Sequence, residues 1–140
     1  MDSLDRFSSH FDASAFVSQL LNEYETNPEE CRLSGDCAAH CTGQSGEVLP
    51  ARFDAIAIAL AQGYQDSRLS FGFCDAVVNA MVCYVYADSV AQRGTWPSLF
   101  WDVFLAFDSG EFFRNGEPDI DPAEKYTRPQ IAAILADRNM

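Results

Sequence analysis

Four side chains that can bind zinc fall within eleven residues of one another: Cys31, Cys37, His40 and Cys41. Thiolate and imidazole are the ligands that zinc prefers in proteins, and four of them complete a tetrahedral site. If residues 36–41 form one helical turn, Cys37 and Cys41 lie on the same face. Cys31 then returns from the preceding loop as a further ligand. These residues are a candidate zinc site, but the spacing favours small thiols packed on the helices, and the expectation is that the protein carries no cofactor.

The same cysteines have other interpretations. Their spacing lacks the paired C-x2-4-C pattern of most zinc sites, and adjacent helical residues such as His40 and Cys41 diverge. Small thiols of this kind also pack against helices without a metal. A third interpretation is a reactive thiolate at Cys37, or a redox pair of Cys37 with Cys41. His10 and His40 are the imidazoles that would activate it. Cys74 falls in an apolar segment and is predicted to lie in the core.

A second polar cluster lies in the last third of the chain and comprises Asp108, Glu111, Lys125, Tyr126 and Arg128. Asp108 and Glu111 are spaced to lie on the apolar side of one aromatic-rich helix. A carboxylate in that position must be paired, because burying an isolated charge is costly. We therefore expect Asp108 and Glu111 to form ion pairs with residues 125–128 and to anchor that segment on the helix.

The alternative is an enzyme that acts on a small molecule. Asp108 and Glu111 would supply an acid/base pair beside Arg128, in a pocket lined by aromatic side chains. The other inner carboxylates, Asp54 and Asp75, stand alone on their helices, and the sequence has no Glu-x-x-His motif. A di-iron carboxylate site is therefore excluded.

Two further observations limit the chemistry. Asp75 and Asn79 form a polar pair one turn apart inside an apolar helix, and we expect this pair to cap or to reach a neighbouring element. The sequence contains no Walker A loop and no G-x-G-x-x-G, G-x-S-x-G or H-E-x-x-H motif. ATPase, dinucleotide-dependent, serine hydrolase and zincin activities therefore have no support.

Apolar residues recur at helical spacing along most of the chain. The second helix, for example, places one face of apolar residues toward the core: Phe53, Ile56, Ala57, Leu60 and Tyr64. Asp12 is a good N-cap for the first helix, and Thr95 and Thr127 are candidate caps for later ones. The predicted helices cover residues 12–26, 51–65, 71–93 and 97–116, and a short terminal helix opens at Thr127 with Ile131, Ile134 and Leu135 facing inward. Gly110 is a weak point inside the fourth helix and a candidate for an early end or a kink.

These helices predict an all-α fold in one domain, residues 1–140. The domain is a bundle of about five helices around a central aromatic-rich helix. A long Cys/Gly-rich loop at 26–50 separates helices 1 and 2, and an acidic linker at 116–126 precedes the last helix. The small side chains of the third helix suit either an internal helix crossing or a two-fold dimer contact, which leaves the oligomeric state open.

The balance of nine basic and twenty-one acidic residues gives a net charge of −12. Such a surface repels nucleic acid and anionic membranes, so neither is an expected partner. No signal peptide is visible and the cysteine number is odd, which predicts a cytoplasmic protein.

The function that this composition favours is an acidic protein-interaction module that binds a basic protein. An immunity- or antitoxin-type protein that masks a cationic nuclease is one concrete form. Exposed aromatic residues would anchor the partner, and the candidates are Tyr24, Tyr64, Tyr84, Tyr86, Phe112 and Phe113. The first alternative is a metal- or redox-responsive protein that uses the cluster of Cys31, Cys37, His40 and Cys41.

Overall fold

The computed structural model describes residues 12–26, 49–92 and 96–138, and within these ranges no residue forms a strand. The described residues form five α-helices: α1 (Ala13–Thr26), α2 (Leu49–Gln65), α3 (Phe71–Gln92), α4 (Ser98–Asp108) and α5 (Arg128–Arg138). A π-helical turn, Ala123–Thr127, runs directly into α5. The prediction of a small all-α bundle is confirmed. The predicted loop between the first two helices lies almost entirely outside the described residues.

The core lies where α4 packs against α2, α3 and α5. Its largest fully buried side chains include Phe53, Phe73, Phe100 and Phe107. The predicted inner face of α2 is buried throughout. α4 is central, as expected, but it is not buried on all sides, because Leu105 is 41% exposed.

Aspartate side chains accept hydrogen bonds from backbone amides at the starts of α1 and α4. The Asp12 carboxylate accepts a hydrogen bond from the amide of Ala15 at 3.0 Å, so the predicted N-cap of α1 is confirmed. α4 has no side-chain cap of its own. Instead, Oδ1 of Asp54, on α2, accepts a hydrogen bond from the amide of Phe100 at 2.8 Å. This contact locks the start of α4 to α2. The predicted cap Thr95 lies outside the described residues.

α4 ends at Asp108, eight residues before the predicted end at 116. The cause is Gly110, which is buried against the π-helical turn. A Cβ at this position would lie 2.3 Å from Oγ1 of Thr127 and 3.0 Å from the Cα of Ala123. Only glycine permits so close an approach. The chain leaves the helix here and forms a loop, residues 109–121, that we call the acidic loop.

Thr127 does not cap the last helix, so this prediction is wrong. Its side chain is fully buried, and its hydroxyl donates a hydrogen bond to the carbonyl of Ala106 at 2.7 Å. The last carbonyls of a helix lack partners within the helix, and Thr127 supplies one. The last helical segment also begins earlier than predicted, because the π-helical turn already includes Ala123.

None of the helices in the described ranges combines the length and the apolar character that crossing a membrane requires.

Candidate functional site

The proposed zinc ligands Cys31, Cys37, His40 and Cys41 lie outside the described residues, so the zinc site stays a prediction. In the part of the chain that the structure describes, no group of three or more His, Cys, Asp or Glu residues is placed to hold a metal ion. Cys74 is buried, as expected, and its thiol donates a hydrogen bond to the carbonyl of Leu60. Burial raises the pKa of this thiol to about 12, so it stays protonated.

The structure divides the second polar cluster into separate contacts. Asp108 is exposed, and Glu111 turns toward α3. Across residues 96–138, no ion pair joins Asp108 or Glu111 to residues 125–128. The expected pairing is therefore wrong. Its physical reason is the early end of α4, because helical spacing no longer relates Glu111 to Asp108 once the chain has left the helix.

Glu111 joins Asp75 and Asn79 of α3 in a cluster that sequence reasoning missed. The side-chain amide of Asn79 donates to Oε2 of Glu111 at 2.7 Å and to the backbone carbonyl of Asp75 at 2.8 Å. The expectation that the Asp75–Asn79 pair reaches a neighbouring element is met by Asn79. The signal was this one-turn spacing of two polar residues in an apolar helix, but nothing in the sequence identified Glu111 as the partner.

The pKa of Asp75 is unusually high in this cluster. Its Oδ1 atom is buried and has no hydrogen-bond donor among the described residues. Burial, followed by the hydrogen bond with the Glu111 carboxyl, raises the pKa of Asp75 to about 8. At neutral pH Asp75 therefore keeps its proton, and it is Asn79 that joins α3 to Glu111 of the acidic loop.

Arg114 organises the acidic loop from within. Its Nη1 donates to the carbonyls of Ser109 at 2.7 Å and Phe112 at 3.1 Å. The guanidinium carbon lies 3.7 Å from the ring centroid of Tyr126 and 4.3 Å from that of Phe112. These hydrogen bonds and cation–π contacts hold both ends of the segment 109–114 around one side chain.

Glu117 is the acid that pairs with the segment 125–128. It accepts a hydrogen bond from the hydroxyl of Tyr126 at 2.6 Å and forms an ion pair with Lys125. The hydrogen bond from Lys125 holds the pKa of Glu117 below its usual value. Lys125 and Tyr126 are therefore used in anchoring, as expected, but their partner lies in the predicted linker and not on α4.

The acidic loop exposes large apolar side chains. Phe112 is 55% exposed, Phe113 is 61% exposed and Ile120 is 40% exposed. Residues 108–121 carry five acidic residues and one basic residue. Among the predicted anchors, Tyr86 is also exposed, Tyr64 is buried and Tyr24 is half-buried, while the side chain of Tyr84 is not described. We call the exposed face of residues 108–121 the acidic loop surface.

The predicted enzyme site is not assembled. Arg128 forms an ion pair with Glu124, at 3.0 Å, and lines a cleft to which neither Asp108 nor Glu111 contributes. Trp101, on α4, packs against Trp96 with ring centroids 5.5 Å apart and does not line this cleft. The three groups that an acid/base mechanism would combine thus lie in different contacts.

No protein-family model, curated protein or solved structure matches this chain.

Proposed function

We propose that this protein is an interaction module that binds a basic protein partner through the acidic loop surface. The observation that carries the proposal is the pair of adjacent exposed aromatic side chains, Phe112 and Phe113, within a segment of strongly acidic composition. Exposed aromatic residues supply most of the binding energy in many interfaces, and surrounding charges select the partner.

The charge of the chain supports a cationic partner. With a net charge of −12, the protein attracts basic proteins over several ångströms and raises the rate at which they associate. Residues 108–121 concentrate this charge beside the aromatic pair. The encounter is therefore guided to the surface that holds the apolar anchors.

The internal order of the loop also favours binding. Arg114 and Glu117 each connect the loop to Tyr126 in the π-helical turn. Asn79 fixes Glu111 to α3. A binding loop that is already ordered loses little conformational entropy when its partner docks, so more of the contact energy appears as affinity.

The more specific form of the proposal is an immunity- or antitoxin-type inhibitor of a cationic nuclease, acting in the cytoplasm. Such an inhibitor needs an acidic, ordered surface that competes with nucleic acid for a basic active site. The acidic loop surface meets this chemical requirement.

Photo-crosslinking from position 113 tests the proposal. Replacing Phe113 by a benzoyl-phenylalanine in the full chain places the reactive group at the most exposed aromatic position. We expect one dominant adduct with a basic protein, and we expect that adduct to be lost at high salt, because screening weakens charge steering.

The matched control carries the same crosslinker at Ala132, an exposed position on α5. Absence of an adduct at 113, or identical adducts at 113 and 132, would show that the acidic loop surface is not the binding site. An adduct at 113 with an acidic protein would contradict the choice of partner.

A further inference from the structure

A cleft of about 440 Å³ lies between the end of α1, the turn that joins α2 to α3 and the π-helical turn. Its walls include three aromatic side chains, Tyr24, Tyr64 and Phe71. Five charged side chains also line it: Glu25, Asp121, Glu124, Arg68 and Arg128. The cleft therefore combines aromatic faces with charged groups, which is typical of a site that orients a small polar ligand.

The two arginines of the cleft are already paired with acids. Nη2 of Arg68 lies 3.3 Å from Oδ2 of Asp66, and Nε of Arg128 lies 3.0 Å from Oε1 of Glu124. The Arg128 guanidinium also covers the ring of Tyr64, with its central carbon 4.5 Å from the ring centroid. The positive charges at the cleft are thus compensated within the protein.

The carboxylates of Glu25 and Asp121 are not compensated in this way. Neither forms an ion pair with any cation in the described ranges, although Asp121 accepts a hydrogen bond from the amide of Ala123. The charges that remain available to an occupant of the cleft are therefore negative.

Tyr64 provides a second, independent indication that the cleft binds a ligand. Its side chain is 3% exposed, and its hydroxyl has no hydrogen-bond partner among the described residues. Burial raises the pKa of this phenol, so it remains neutral. A buried hydroxyl without a partner costs free energy, and most such groups in folded proteins are satisfied by protein, water or ligand.

We propose that this cleft binds a guanidinium or primary ammonium group carried on a short chain. Glu25 and Asp121 attract the cation, the faces of Tyr24 and Phe71 receive it through cation–π contact, and the Tyr64 oxygen accepts one of its N–H groups. The cation comes either from a free small molecule or from an arginine or lysine side chain of a protein. The second source rests on the proposed function, whereas the first does not.

The test uses the full chain labelled with ¹⁵N and follows its backbone amides by NMR during titration. Three probes are compared: agmatine for a free cation, N-acetyl-arginine amide for a protein side chain, and N-acetyl-citrulline amide as the neutral isostere of the latter. We expect the two cations to shift the amides of residues 67–71 saturably and the citrulline compound to leave them unchanged. Tighter binding of agmatine indicates a free ligand, and tighter binding of the arginine amide indicates a side chain.

Substitutions at the carboxylates of Glu25 and Asp121 test whether they bind the cation. Combining Glu25→Gln with Asp121→Asn should raise the dissociation constant of the cation by about tenfold, which is about 1.4 kcal/mol. The asparagine keeps an acceptor for the Ala123 amide. The control combines Glu23→Gln with Asp119→Asn, which removes the same charge from exposed residues that do not line the cleft. This control should change the constant by less than about twofold, because exposed charges interact weakly.

Three results would overturn the proposal: no saturable shift with either cation, equal shifts with citrulline, or equal weakening in both double variants. Stronger binding of inorganic phosphate at the same amides would also overturn it, because the arginines would then determine the ligand. Failure of crosslinking from position 113 leaves these outcomes unaffected, so the two proposals fail separately.

Discussion

A half-buried aspartate lies near each end of α4, and the groups that surround the two carboxyls are opposite in kind. At its start, Asp54 accepts the amide of Phe100, which is unpaired within the helix and lies at the positive end of the helix dipole. Beyond its end, Asp75 faces the carboxyl of Glu111, with Asp108 nearby. Burial raises the pKa of both aspartates, but backbone hydrogen bonds oppose the shift at Asp54, and a second acid reinforces it at Asp75.

The difference shows that burial alone does not determine the state of an inner carboxylate. Backbone amides at a helix start favour the anionic form of a carboxylate and limit the upward pKa shift of Asp54, whereas a neighbouring acid favours the protonated form of Asp75. The first contact is structural and joins two helices. The second places a titratable acid of α3 beside Glu111 of the acidic loop.

The largest effect is expected from the apolar contacts that fix the end of α4. Phe107 is fully buried and packs edge-on against Tyr64, with ring centroids 5.3 Å apart. Phe107→Ala should lower the free energy of unfolding by about 3–5 kcal/mol, because it leaves a cavity in the core. Phe113→Ala, at an exposed position, is the matched control and should change it by less than about 0.5 kcal/mol. Urea unfolding measures both, and equal effects would contradict the packing described here.

The position of the helix end should be sensitive to Gly110. Gly110→Ala forces a methyl group against Thr127 and Ala123 and should cost about 1–3 kcal/mol. At Gly72, near the start of α3, the nearest atom to an added Cβ is the Tyr24 hydroxyl at 3.4 Å. Gly72→Ala should therefore be neutral or stabilise the protein, because alanine favours the helix. A higher melting temperature for Gly110→Ala would show that the close approach does not determine where α4 ends.

The start of α4 should depend on Asp54. Asp54→Ala removes the acceptor for the Phe100 amide and should cost about 0.5–2 kcal/mol. Asp102→Ala, on α4, removes an exposed acid that repels Asp54 and should not destabilise the protein. Chemical denaturation at neutral pH compares the two variants. A greater loss from Asp102→Ala would contradict the capping role.

The pH dependence of stability should come in part from Asp75. Its pKa is about 8 in the folded protein, against an ordinary value of 3.8. The folded state therefore binds the proton more tightly, and the contribution of Asp75 to stability falls as pH rises from about 4 to about 8 and is constant above that range.

Asp75→Asn replaces the protonated acid with a neutral amide that can donate to Glu111. We expect this variant to unfold at higher urea concentration than the original protein at pH 9 and to show a flatter pH profile between 5 and 8. Asp119→Asn, at an exposed position of the acidic loop, should leave the profile unchanged. A profile for Asp75→Asn that is parallel to that of the original protein would exclude Asp75 as the titrating group.

The sequence was sufficient for the helices but not for the polar contacts. The periodic placement of Phe53, Ile56, Leu60 and Tyr64 predicted the buried face of α2 correctly, because burial follows the helical period. The predicted end of α4 at residue 116 is wrong, although Gly110 is the candidate for an early end; the contacts of Gly110 are with Thr127 and Ala123, which are distant along the chain. Local propensity does not encode such a contact.

For the acidic loop, the sequence indicates which residues matter but not how they pair. Phe112 and Phe113 are among the candidate anchors named from composition, and both are exposed; their role in binding stays a prediction. The partners of Glu111 and Lys125 were wrongly assigned, because ion pairs in a loop depend on the path of the backbone and not on spacing along a helix. Arg114, which organises this loop, has no sequence signal beyond being its one basic residue.

The most direct test of the proposed function is the affinity for the basic protein captured from position 113. Its dissociation constant should be measured by calorimetry for the original protein, for Phe113→Ser and for Leu105→Ser, which removes a comparably exposed apolar side chain from α4. We expect Phe113→Ser to weaken binding by about 30-fold, as loss of an interface anchor worth about 2 kcal/mol does, and Leu105→Ser to have little effect. An unchanged affinity for Phe113→Ser, or an equal loss for Leu105→Ser, would contradict binding through the acidic loop surface.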